Sequence, residues 1–82
     1  MPHFENQICV GAIGSMTQAL KGVRALQQSG LRAEVVALSA EETKRGCAYG
    51  ISFACEEMGQ VRSALRQAQV TVTQYLQRRA LP

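Results

Sequence analysis

Cys47 stands in the one stretch of this chain whose residue types suggest chemistry. In Thr43-Lys44-Arg45-Gly46-Cys47-Ala48-Tyr49-Gly50 a thiol follows two cations and a glycine. A cysteine acts as a nucleophile through its thiolate, and nearby cations or a helix amino terminus lower its pKa. The chemistry open to such a group is attack on another sulfur, and the holding or passing on of a sulfur atom. Cys9 and Cys55 bring the cysteines to three. The count is odd, and no pair has CxxC or zinc-ligand spacing. The one histidine, His3, lies near the amino terminus. No metal site and no cofactor are therefore expected. Cys9, inside an apolar run, reads as a small buried hydrophobe. The thiols are read as free, in a reducing cytoplasm.

The rest of the composition narrows the partners. The chain has 82 residues, 46% of them hydrophobic and 18% charged. That suits one domain with a modest core, and self-association would help to stabilise it. Nine Lys/Arg against six Asp/Glu give a net charge of +3. The cations are scattered, as a solvated surface would have them. With no Trp, two Tyr and two Phe, stacking on nucleic-acid bases is not expected. No apolar run approaches the ~20 residues of a membrane span. Glu5 and Asn6 stand where a secretory signal would need a basic and apolar stretch.

Stepping outward, the elements that must position Cys47 follow from periodicity. Gln7 to Ile13 is a continuous apolar run, too short for a helix, and reads as a strand covered on both faces. Gly14-Ser15 breaks it. Ser15 with Gln18 makes an S-x-x-Q capping box, so a helix starts at Met16. Ala19, Leu20, Val23 and Leu26 form its buried stripe, Gly22 marks a close approach to the sheet, and Gly30 ends the helix. Arg32 to Ser39 is the second strand. A polar connector, residues 40–46, delivers Cys47 to a third strand at Tyr49 to Cys55. One face of that strand carries Tyr49, Ile51, Phe53 and Cys55; the other, Gly50, Ser52 and Ala54, is small enough for a close helix or another chain. Glu56-Glu57 open a second helix with Met58, Val61, Leu65 and Ala68 as its stripe. Val70 to Leu76 reads as a fourth strand, with continuation of the second helix as the competing reading. Residues 1–6 and 78–82 read as tails.

This order, βαββαβ, predicts a single α+β domain of the split βαβ, ferredoxin-like type. The expected sheet order is 4-1-3-2, with both helices on one face and a right-handed crossover between the first two strands. Cys47 then falls near Gly14, Ser15 and Met16, at the amino end of the first helix, where backbone N–H groups and the helix dipole favour a thiolate. Cys55 lies eight residues further along one extended segment, or about 26 Å away. A disulfide needs Cα atoms within about 7 Å. Cys47 therefore reads as a lone reactive cysteine, which suits a carrier better than a dithiol oxidoreductase.

Three segments resemble the Se/S carrier-like family of small bacterial proteins, a group defined largely as a domain of unknown function. They are Gly14-Ser15-Met16-Thr17-Gln18-Ala19-Leu20, Gly30-Leu31-Arg32-Ala33-Glu34-Val35-Val36 and Gly46-Cys47-Ala48-Tyr49-Gly50-Ile51-Ser52-Phe53. The likeness spans about residues 7 to 68. The chain departs from the family pattern in its connector: Glu41-Glu42-Thr43-Lys44-Arg45-Gly46 replaces a proline-arginine and serine-rich segment, and no glycine directly follows Cys47. The resemblance implies a carrier that holds a persulfide or selenopersulfide on Cys47. A donor such as a cysteine desulfurase would load it, and an unidentified acceptor would empty it. From the expected geometry, and not from the resemblance, backbone N–H groups at Gly14 to Met16 would hold the terminal sulfur, Lys44 and Arg45 would stabilise the anion or dock an acidic partner, and Gly46 joins them as a binding residue. Such a protein is a transfer partner more than a self-sufficient enzyme. The alternative is a non-enzymatic ferredoxin-like interaction or regulatory module that self-associates through its open sheet face, with Cys47 incidental; a redox sensor is a third option.

Overall fold

The computed structural model describes residues 7–39, 41–42 and 49–79, the side chain of residue 79 excepted. The elements are β1 (Gln7–Ile13), α1 (Met16–Gln28), β2 (Glu34–Ala37), β3 (Tyr49–Ala54), a short 3-10 turn (Cys55–Glu57), α2 (Met58–Gln67) and β4 (Gln74–Arg79). The strands form one sheet in the order β2-β3-β1-β4, with every neighbouring pair antiparallel. Both the element order and the sheet order are those expected from the sequence.

β1 is continuous in its apolar character because it is central and covered on both faces. Cys9 and Ile13 face the helices and Val10 and Ala12 face away, yet all four are buried. The helix side holds the main core. Ala19, Val23 and Leu26 of α1 and Val61 and Leu65 of α2 close on Cys9, Ile13, Ile51 and Phe53. Phe53 meets the ring of Tyr75 edge to face at 6.2 Å.

α1 begins where expected. Ser15 is its amino-terminal cap, with Oγ accepting from the Gln18 N–H at 3.1 Å. Its carboxyl end closes in a Schellman turn: Gly30 takes φ 83°, the Leu31 N–H donates to Leu26 O at 2.9 Å and the Gly30 N–H to Gln27 O at 3.0 Å. Gly22 marks the close approach the sequence suggested, since a methyl there would lie 2.5 Å from Ile51 Cδ1 and 3.0 Å from Leu65 Cδ2. The buried line thus runs through Ala19, Gly22, Val23 and Leu26. Leu20, expected on that stripe, is turned out and is 51% exposed.

The second half departs more. β2 keeps only Glu34–Ala37 of the expected strand, and β3 ends at Ala54 because Cys55 opens the 3-10 turn. Val70 is no strand residue. It is the residue after a second Schellman turn, buried at 6%, with its N–H on Leu65 O at 2.9 Å. β4 starts four residues later than expected, at Gln74, and takes in Arg78 and Arg79, which the sequence assigns to a tail.

Among the described residues, no helix packs on the small face of β3. Leu38 from this chain packs over Val10 and Ala12, with Ile8, Val36 and Leu76 around them. The fit is tight: a methyl on Gly50 would lie 2.7 Å from Val10 Cγ1 and 2.8 Å from Gly11 O.

Candidate functional site

The sheet register fixes the neighbourhood of α1's amino end. Ile13, the last residue of β1, pairs with Tyr49, the first of β3. Gly14, Ser15 and Met16 follow at once. All three are exposed, and a methyl on Gly14 would meet nothing within 4 Å. The Ser15 hydroxyl is engaged as the helix cap. α1 has no acidic side chain in its own first turn to offset the positive end of its dipole. Lys44, Arg45, Gly46 and Cys47 lie outside the described residues.

Glu42, at the described start of the connector, is tethered to Ser39 and to β4. Ser39 and Glu42 form a reciprocal turn: the Ser39 N–H donates to Glu42 Oε1 at 3.0 Å, and the Glu42 N–H to Ser39 Oγ at 3.2 Å. Arg78, on β4, grips the same carboxylate through Nε (2.8 Å) and Nη2 (2.7 Å). A second bond runs from Arg78 Nη2 to Ala37 O at 3.3 Å. This strap joins the two edge strands across the helix-free face. The Arg78 guanidinium, helped by the Ser39 N–H, holds the Glu42 carboxyl down at about 2. Burial moves a second group: the Tyr75 phenol is raised above its ordinary 10.0, with Arg62 and Arg66 opposing the shift.

The sulfur chemistry differs from the expectation. Cys9 and Cys55 form a disulfide, with Cα atoms 4.9 Å apart and a sequence separation of 46. The free thiols expected at these two positions are thereby corrected. The physical reason lies in the register. Cys9 pairs with Phe53, so Cys9 and Cys55 point to the same helix-covered side. The chain bends into the 3-10 turn directly after Ala54, bringing Cys55 back over β1. Cys9 is buried at 6% and Cys55 is half-buried. From sequence, Cys55 and Cys9 are weighed only as partners for Cys47, with Cys9 taken as a buried thiol, and Cys9 is not paired with Cys55. The overlooked signal was the shared face of Cys9 and Cys55 on adjacent antiparallel strands.

Beside the disulfide is an open groove of about 810 Å³. β2 stops pairing at Glu34–Ser52, so the last residues of β3 extend past it and leave room at the sheet edge. Cys55 lines the groove, as do Arg32, Glu34 and Glu56, all three exposed. No motif or spacing in the sequence points to this groove. Among the described residues, no three of His, Cys, Asp and Glu are grouped to hold a metal ion, and no helix is long and apolar enough to cross a membrane. In comparison with known proteins, the chain matches no family model, no curated protein and no solved structure.

Proposed function

We propose that this domain is a one-thiol sulfur or selenium carrier, with Cys47 taking a sulfane sulfur as a persulfide and handing it to an acceptor protein. The observation that carries this reading is the pairing of Ile13 with Tyr49. Tyr49 is the second residue after Cys47, and Ile13 is the second before the α1 cap Ser15. The chain that bears the thiol therefore returns to the sheet beside a helix amino terminus. By helix geometry the N–H groups of Met16 and Thr17 have no partner within α1, so that end can receive an anionic terminal sulfur. Lys44 and Arg45 add positive charge in the same segment. While the Cys9–Cys55 disulfide is closed, neither of those two sulfurs competes with Cys47 as a thiol.

The transfer step needs no cofactor. The Cys47 thiolate attacks the outer sulfur of a donor persulfide, and the donor leaves as a thiolate. The acceptor's thiolate then takes the same sulfur and releases Cys47. A cysteine desulfurase is a donor of the required chemistry. Met16 and Leu20, one helical turn apart and 42% and 51% exposed, offer it an apolar contact at the amino end of α1. Leaving a leucine in water forgoes about 1.5–3 kcal/mol of burial, and a partner that covers it recovers part of that. The reading assigns the domain to the cytoplasm, where such donors work.

The test is to incubate the protein with a cysteine desulfurase and cysteine, then to measure the intact mass. The expected result is a gain of one sulfur atom that is absent in Cys47→Ser. A Cys47 that gains no sulfur overturns the reading. The second reading, an interaction or regulatory module, rests on the same exposed Met16 and Leu20. It would then be favoured if the domain self-associates through them.

A further inference from the structure

We propose that the Cys9–Cys55 disulfide is a reversible redox site, opened by thiol–disulfide exchange at Cys55 with a small zwitterionic thiol seated in the adjoining groove. The site is separate from Cys47 and goes beyond the carrier reading.

Access distinguishes the two sulfurs. Cys9 sits mid-strand in the centre of the sheet, between Phe53 on one side and Gln77 on the other, and is buried. Cys55 lies past the end of β3, is half-buried and lines a groove open to solvent. An entering thiolate therefore meets Cys55 first. Exchange rates depend on which sulfur is attacked and on access to it. The groove also has a charge pattern. Arg32 supplies a cation, and Glu34 and Glu56 supply anions. A short thiol peptide carrying one carboxylate and one ammonium matches both signs, and a volume of about 810 Å³ accommodates it. Tyr49, where the described chain resumes after the connector, lies at the opposite end of β3 from Cys55.

The exchange balances as follows. The small thiolate attacks Cys55 Sγ, the Cys9–Cys55 bond breaks, and its electron pair leaves on Cys9 Sγ, which takes a proton from water. A second small thiolate attacks the ligand sulfur of the mixed disulfide and releases Cys55 as a thiolate. Two small thiols are oxidised to their disulfide, and the protein disulfide is reduced by two electrons. In a compartment that keeps thiols reduced, the disulfides that do form are of this transient kind.

The experiment uses the full chain with Cys47→Ser, so that any thiol found comes from the pair. The probe is the dipeptide cysteinylglycine, with uncharged 2-mercaptoethanol beside it, in buffer without denaturant. Acid-quenched samples are analysed by intact mass and peptide mapping. The expected result is a mixed disulfide on Cys55, followed by the dithiol form, with the far-ultraviolet circular dichroism of a folded chain. Arg32→Gln, at an exposed position, is expected to slow cysteinylglycine by about threefold, the size of a solvent-exposed charge contact. It leaves the 2-mercaptoethanol rate unchanged. Reduction that occurs only in denaturant overturns the proposal, as does an adduct on Cys9. Equal slowing of both thiols by Arg32→Gln overturns the part assigned to the groove.

Discussion

Glu42 shows how a single side chain can tie the end of one edge strand to the other. Its carboxylate accepts from Ser39 on one side and from the Arg78 guanidinium on the other. Both contacts need the ionised form, and the pKa falls from 4.5 to about 2. A carboxyl lowered on folding stabilises the fold fully above its unfolded value, and that contribution fades as pH falls through the folded one. The window therefore runs from about 4.5 down to about 2. Carboxyl NMR is expected to show Glu42 titrating near about 2 in the native chain and back toward 4.5 in Arg78→Ala. An unshifted Glu42 in the native chain would remove the strap from the account. Both side chains are about one-third exposed, at 34% and 33%, so added salt weakens the pair. Sequence reading could not find it. The two residues are 36 positions apart, and Arg78 read as tail because the strand was placed too early.

At the scale of elements, the two helices end in the same way with different residues. Gly30 closes α1, and Gln69 closes α2 at φ 61°. The Gln69 N–H donates to Arg66 O and the Val70 N–H to Leu65 O, so the hydrogen bonds match those of α1. A side chain in the left-handed region costs roughly 1 kcal/mol that glycine does not incur. Gln69→Gly is expected to stabilise the fold by about 0.5–1 kcal/mol in urea unfolding, and an unchanged midpoint would contradict the assignment. Gly30 was legible in the sequence because glycine announces such a turn. Gln69 was not, since nothing in its type requires positive φ. That one turn explains the misplaced fourth strand. Val70 is β-branched and apolar because it fills the core behind the turn. Val72 is apolar because it packs against Gly11, a methyl on which would meet it at 3.3 Å. The first half of the chain was read more closely, because its signals are local. The continuous run of β1 and the cap at Ser15 each act within a few residues. Leu20 was misplaced because Gly22, and no larger residue, sets the line on which α1 meets the sheet.

For the whole molecule, the disulfide matters more than any one core contact. A chain of 82 residues buries only a modest core. Closing a loop of 46 positions removes unfolded-state entropy equivalent to about 4 kcal/mol in the simplest treatment, with 2–4 kcal/mol typical. Thermal unfolding with and without reduction is expected to differ by an amount in that range. Equal stability would mean that the bond constrains little. The pair escapes sequence reading because register between distant strands is not written in spacing, although the expected bounds of β1 and β3 lie within a residue of those found. The bond also changes what a break in the backbone does. Cys9 and Cys55 enclose α1, β2, β3 and the whole of residues 40–48 in one covalent ring. A protease that cuts once within that span linearises the ring without dividing the molecule. The two pieces stay joined through sulfur, and they separate only when the disulfide is reduced.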